Sequence, residues 1–128
     1  MSAIQKPSGR VVHNNVMIDD SQAGMNSRVI RAAPCTLLRA FITNTGAGTL
    51  YFMVFDATTL PSNGTTPRVR PVVLAAGAQA SLDMSIVQAL GTWGLTLNTG
   101  LVWAASTTAG TLTVDTTNSM WATVEFFS

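Results

Sequence analysis

Two apolar runs, Leu37–Thr43 and Leu50–Phe55, flank a connector of Thr, Gly and Asn, and a string of turn residues from Leu60 to Pro67 follows. Gly and Asn accept positive φ and Pro presets a turn entry, so this pattern predicts a β-hairpin and then a long punctuated loop. Similar short runs recur from Ser27 onward: Arg28–Ala32, Thr36–Thr43, Leu50–Asp56, Val69–Leu74, Ala78–Met84, Trp93–Leu97, Leu101–Ser106, Thr111–Val114 and Trp121–Phe127. Turn-rich separators stand between them. Strands this short at near-regular spacing predict an all-β chain, an antiparallel β-sandwich or barrel rather than a βαβ fold. Ser81–Gly91 alone offers a helical option, with Asp83 as cap and Gly91 as stop.

The first 26 residues read differently. Gln5–Gly9 is polar, Val11–Val12 and Val16–Ile18 are short apolar patches around His13–Asn15, and Asp19–Ser21 with Gly24 closes the segment as a turn. No helical period is sustained, so residues 1–26 are expected to form an extended N-terminal arm and residues 27–128 the sandwich domain. Such an arm needs a sheet to join or a neighbour to lie on.

Faces decide the next expectation. In Leu50–Phe55 one face carries Leu50, Phe52 and Val54, the other Tyr51, Met53 and Phe55. A sandwich strand with one wet face should alternate toward polar residues, and neither this run nor Leu101–Ala105 does. Either a loop or the arm covers the outer face, or that face meets another subunit in a closed oligomer; Tyr51, Met53, Phe55 and Trp103 are then the interface candidates.

Composition sharpens this. The chain has 128 residues, enough for one domain with an ordinary core. Only 10% of residues are charged while 47% are hydrophobic, a surface poorly protected against association. Net charge is +1, which gives no electrostatic claim on nucleic acid. All the Lys and Arg residues precede Pro71, and most are Arg, whose planar fork suits interface carboxylates. The opening residues lack the apolar segment of a signal peptide, and no run is long enough for a membrane helix. A soluble intracellular product or a particle component is expected.

Catalytic chemistry finds little to work with. His13 is the sole histidine and lies in the arm; Cys35 is the sole cysteine, expected as an inert buried thiol that excludes an intrachain disulfide. The acids are scattered, and only Asp56 or Asp115 with loop carbonyls could offer a calcium ion a place. No Gly-rich loop matches a phosphate cradle. Asn63–Gly64–Thr65 fits a glycosylation sequon but reads as a turn. The chain is therefore read as a non-enzyme without cofactor, metal or small-molecule substrate.

Four stretches carry a resemblance: NTGAGTLYFMVFD at Asn44–Asp56, LPSNGTTP at Leu60–Pro67, AAGA at Ala75–Ala78 and LNTGLVWAASTT at Leu97–Thr108. With these, residues 36 to 127 resemble small β-sandwich structural proteins of tailed bacteriophage virions, of the capsid cement or decoration type. The resemblance implies a jelly-roll-like sandwich, often trimeric, attached to the capsid exterior after assembly in the host cytoplasm, with itself and the major capsid protein as partners. The arm lies outside the resemblance; in such a role it is expected to grip the shell through Val11, Val12, Val16, Met17 and Ile18, together with a cluster of Arg28, Arg31 and Arg39. The alternative is a tail or baseplate component, or a glycan-binding adhesin using Trp93, Trp103 or Trp121.

Overall fold

The computed structural model describes residues 16–128 apart from 22, 86–87 and 90–91. Strands β1 (Val16–Asp20), β2 (Ser27–Arg31), β3 (Cys35–Asn44), β4 (Leu50–Phe55), β5 (Val72–Leu74) and β6 (Gln79–Asp83) come first. They are followed by β7 (Gln88–Ala89), β8 (Thr92–Trp93), β9 (Leu95–Leu97), β10 (Leu101–Ser106) and β11 (Met120–Phe127). No α-helix occurs among the described residues. The helical option fails because Ser81–Asp83 continues β6 on an alternating pattern of burial. Asp83 does cap, but it caps a turn: its Oδ1 accepts from the amide and hydroxyl of Ser85.

One sheet runs β1-β11-β3-β6, with β9 pairing the start of β3; the second runs β2-β10-β4-β5; β7 and β8 form a small separate hairpin. Every strand pairing in the two large sheets is antiparallel. Leaving β7–β9 aside as an insertion, the first strand pairs with the last, the second with the next-to-last, and so inward to the β4–β5 pair. That is one long antiparallel ribbon rolled over on itself, a jelly roll.

This topology overturns the expected hairpin. Leu37–Thr43 and Leu50–Phe55 lie in different sheets, and the connector between them crosses the sandwich as an arch. Asn44, fully buried, pins that arch: its Nδ2 donates to Gly48 O at 2.8 Å and Leu74 O at 3.0 Å, and its Oδ1 accepts from Gly46 N at 2.9 Å. A buried amide with both ends satisfied replaces the ladder a hairpin would have made. At the return crossing, Ala78 N donates to Ala75 O, and Gly77 holds φ of 74°, which a residue with a Cβ rarely adopts.

Between the sheets lies the main core, built from alternating inward residues: Leu37, Ala40 and Ile42 of β3, Phe52 and Val54 of β4, Leu101 and Trp103 of β10, Met120, Ala122 and Val124 of β11. Phe52 and Trp103 face each other with ring centroids 5.6 Å apart. A bulge opposite Glu125 and Phe126 inserts Leu38 into β3, so Leu37 and Leu38 are both buried in succession. Cys35 is buried at the start of β3, and burial pushes its thiol pKa up.

A second, smaller core lies on the outside of the β2-β10-β4-β5 sheet. Met53, Phe55, Val102 and Ala104 turn away from the main core and are sealed by Leu112, with Tyr51, Ala57 and Val114 at its margin. Thr111–Val114, expected as a strand, is instead part of this covering loop, held to the sheet by an isolated bridge between Val114 and Ser106. Loop residues 107–119 are tied down by buried Ser106, whose Oγ donates to Thr108 O and accepts from Thr113 N. Leu112 also clips onto the 60–67 loop, donating from its amide to Thr65 O and accepting from Gly64 N.

Candidate interaction surfaces

The second core settles where four sequence candidates lie. Met53, Phe55 and Trp103 are buried inside the chain and Tyr51 is half-buried at the rim of the second core. The outer face of this sheet is covered by the chain's own loops and Trp103 points into the main core, so the expected subunit interface is corrected for Met53, Phe55 and Trp103, which are buried, while Tyr51 keeps a half-buried place at the rim. Both-face apolarity recorded burial faithfully, but not which chain does the burying.

The cations are also placed differently from the expected cluster. Arg28 lies on β2 and reaches across the open edge of the sandwich to Asp19 of β1, with Nε to Oδ1 at 2.5 Å and Nη2 to Oδ2 at 3.1 Å. Donating to the Asp19 carboxylate raises the guanidinium pKa. This bidentate pair joins one sheet to the other. Arg39 faces outward from β3 of the other sheet, with Nε 3.1 Å from Glu125 of β11 and with Asp83 of β6 opposite it on its other side. Arg31 is half-buried at the end of β2, and its Nε is buried without a hydrogen-bond partner. The structure therefore does not gather Arg28, Arg31 and Arg39 into one patch, and it occupies two of them with carboxylates of the same chain.

Of the arm candidates, Val11 and Val12 lie outside the described residues. Val16, Met17 and Ile18 form β1, the edge strand beside β11, and all are exposed, Ile18 by 66%. Part of the arm thus adds to the chain's own sheet. The far edge of the other sheet looks different: Pro67, Arg68, Arg70 and Pro71 precede β5, the kind of residues that block strand addition. Strand β1 itself, Val16–Asp20, holds neither proline nor Lys or Arg.

Asp56 closes the end of β4 onto the β9–β10 turn. Burial would raise its pKa, but amides of Asn98, Thr99 and Gly100 and the Thr99 hydroxyl all donate to it and together hold it down to about 2. Its oxygens are thus filled by donors. Asp115 likewise accepts from the amide and hydroxyl of Thr117. Neither is arranged for a cation, and among the described residues no group of three or more His, Cys, Asp or Glu converges.

The remaining surface is the outer face of the β1-β11-β3-β6 sheet. Phe41 and Trp121 are exposed by 48% and 47% on an open groove of about 540 Å³. Registers place Phe41 opposite Thr123 and Trp121 opposite Thr43, so the two rings stand diagonally across the β3–β11 pair. Among the sugar-platform candidates, Trp121 lies here, Trp93 is exposed on the β8 hairpin, and Trp103 is withdrawn into the core. The alternating pattern of Trp121–Phe127 already marked this face as half wet; which residues surround Trp121 comes only from the register.

No family model matches the chain, and no curated protein matches it. Among solved structures the chain is similar to the coat protein of Tobacco streak virus, over 92% of this chain and 90% of that chain, at 12% identity and a TM-score of 0.40. At that score the likeness carries no argument about function.

Proposed function

We propose that this chain is a structural protein of a virion, a decoration or cement subunit that attaches to the outside of a capsid shell and stabilises it. The observation that carries the reading is strand β1 at the end of its sheet, with Val16, Met17 and Ile18 exposed and no proline or cation of its own, on a chain that places proline and arginine just before β5. An open edge with an apolar fringe is a template for a further strand or a flat apolar contact. The sequence resemblance over residues 36 to 127 points the same way, as do the low charge of the chain and the scatter of its titratable groups. Contact with the major capsid protein and with sibling copies, in a trimer, would run through β1 and the arm that leads into it, with Val11 and Val12 as further anchors.

Stabilisation follows by linkage: a ligand that binds only the assembled shell lowers its free energy by an amount set by concentration over Kd. The test mixes the full chain and its Ile18→Asp variant with empty shells of the virus that encodes it. Ile18 points to solvent, so the variant should fold normally, saturate shells poorly and leave their melting temperature low. Equal saturation by both proteins would refute the role of β1, and antibody labelling of tails rather than heads would refute the capsid placement.

A further inference from the structure

We propose that the Phe41–Trp121 groove is a binding site for a neutral carbohydrate. The register builds it in two rows across the sheet. Asp20, Thr123, Phe41 and Ser81 stand side by side on β1, β11, β3 and β6; Trp121, Thr43 and Gln79 form the next row. Each ring is thus flanked along its row by short hydroxyl or amide side chains.

This is the chemistry a sugar ring asks for. One face of a pyranose is a sheet of C–H bonds that packs on an aromatic ring, and its rim of hydroxyls needs donors and acceptors at the same height. Phe41 and Trp121 are free to serve as platforms: the aromatic ring pair among the described residues is Phe52–Trp103, so these two are not stacked on one another. The hydroxyls of Thr43 and Ser81 and the amide of Gln79 both donate and accept. Asp20 takes a hydrogen bond from Thr123 Oγ1 at 2.9 Å and keeps a second carboxylate oxygen for an acceptor role.

Charge decides the class of sugar. Among the described residues no Lys or Arg lines the groove and the Asp20 carboxylate is its one charge, so an acidic or phosphorylated glycan would be repelled. Area decides against a second copy of this chain as occupant. Two half-exposed aromatic side chains offer roughly 200 Å², against the roughly 800 Å² per partner of a stable protein interface. The adjoining row, Ile18–Glu125–Arg39–Asp83, is mostly charged, with Arg39 ion-paired to Glu125 and the apolar Ile18 only at its β1 end. The two rings stand on β3 and β11 rather than on β1, so this site can exist whether or not the chain decorates a shell.

The experiment titrates the full chain with cello-, laminari-, malto- and N-acetylchito-oligosaccharides, and with a sialylated oligosaccharide, by calorimetry. A Trp93→Phe background leaves Trp121 as the exposed indole whose emission reports contact. The expected result is binding of at least one neutral series, in the millimolar range or tighter, with a blue shift of Trp121 emission and weakening of more than about tenfold in Trp121→Ala and Phe41→Ala. Both rings lie outside the core, so unchanged melting temperatures will show that the variants fold; Gln79→Ala, which leaves both rings in place, should weaken binding by a smaller factor. Silence from every neutral series overturns the proposal, as does binding that survives both ring deletions or prefers the sialylated sugar. Concentration-dependent protection of Trp121 from acrylamide quenching would overturn it in favour of self-association.

Discussion

Leu112→Ala probes the feature that most changed the reading of this chain, the private covering of an apolar outer sheet face. Leu112 is completely buried, and its side chain rests on Met53, Phe55 and Val102. Truncation removes three carbon groups from that contact, about 2–2.5 kcal/mol of transfer free energy. A residual cavity raises the total to about 3 kcal/mol, with the low end of the usual range expected because a loop can settle into the gap more easily than a sheet can. For a domain of this size that is a fall of roughly 10 °C in Tm. The backbone clip to Thr65 and Gly64 survives in the variant, so the loop should loosen rather than detach. Urea unfolding followed by Trp fluorescence measures the loss, with the exposed neighbour Thr111→Ala as control, expected within about 0.5 kcal/mol of the parent. The variant should also bind a hydrophobic dye and sediment as larger species, because loosening the loop uncovers Met53 and Phe55. A loss below about 1 kcal/mol with no dye binding would refute the second core, and would return that sheet face to the list of subunit contacts.

Two further outcomes follow from the loop ends. Asp56 has its folded pKa held down to about 2 by hydrogen-bond donors, below its unfolded value, so its contribution is present above about pH 4 and is lost as pH falls toward 2. Asp56→Asn should therefore be less stable than the parent at neutral pH, and the gap between the two should close across that acid window in pH-dependent urea melts; a gap independent of pH would refute the assignment. Gly100→Ala should cost about 2–3 kcal/mol or prevent folding, since a Cβ there would meet Ala57 O at 2.4 Å and Arg31 O at 2.6 Å, both backbone atoms with little room to retreat. Expression yield and Tm check this, and a near-neutral effect would mean that the two chain segments do not approach Gly100 this closely.

Much of the architecture is visible along the chain because burial leaves a local trace. Period-two alternation in Trp121–Phe127, the unbroken apolarity of Leu101–Ala105 and the Gly, Asn and Pro clusters between runs are each enforced by one strand's own surroundings, so these strands and the all-β class can be read directly, whereas Thr111–Val114, apolar at Leu112 and Val114 alone, reads like a strand and is a loop. The burial of Cys35 is legible for the same reason. Asp19 and Arg28, by contrast, are nine positions apart on different strands, and nothing in either residue's neighbours announces that they clasp the sandwich edge.

Pairing partners escaped the local trace because the rolled ribbon matches strands by nesting, not by adjacency. Val16 meets Phe127 across nearly the whole chain, while Leu37–Thr43 and Leu50–Phe55, neighbours in sequence, part into opposite sheets. An apolar side chain registers that water is excluded from it, but carries no mark of whether a loop of the same chain or a second subunit excludes the water. Leu112 answered that for Met53 and Phe55. The groove at Phe41 and Trp121 is likewise a product of register: a slip of one residue between β3 and β11 would send one of the two rings inward, and the shared platform would not exist.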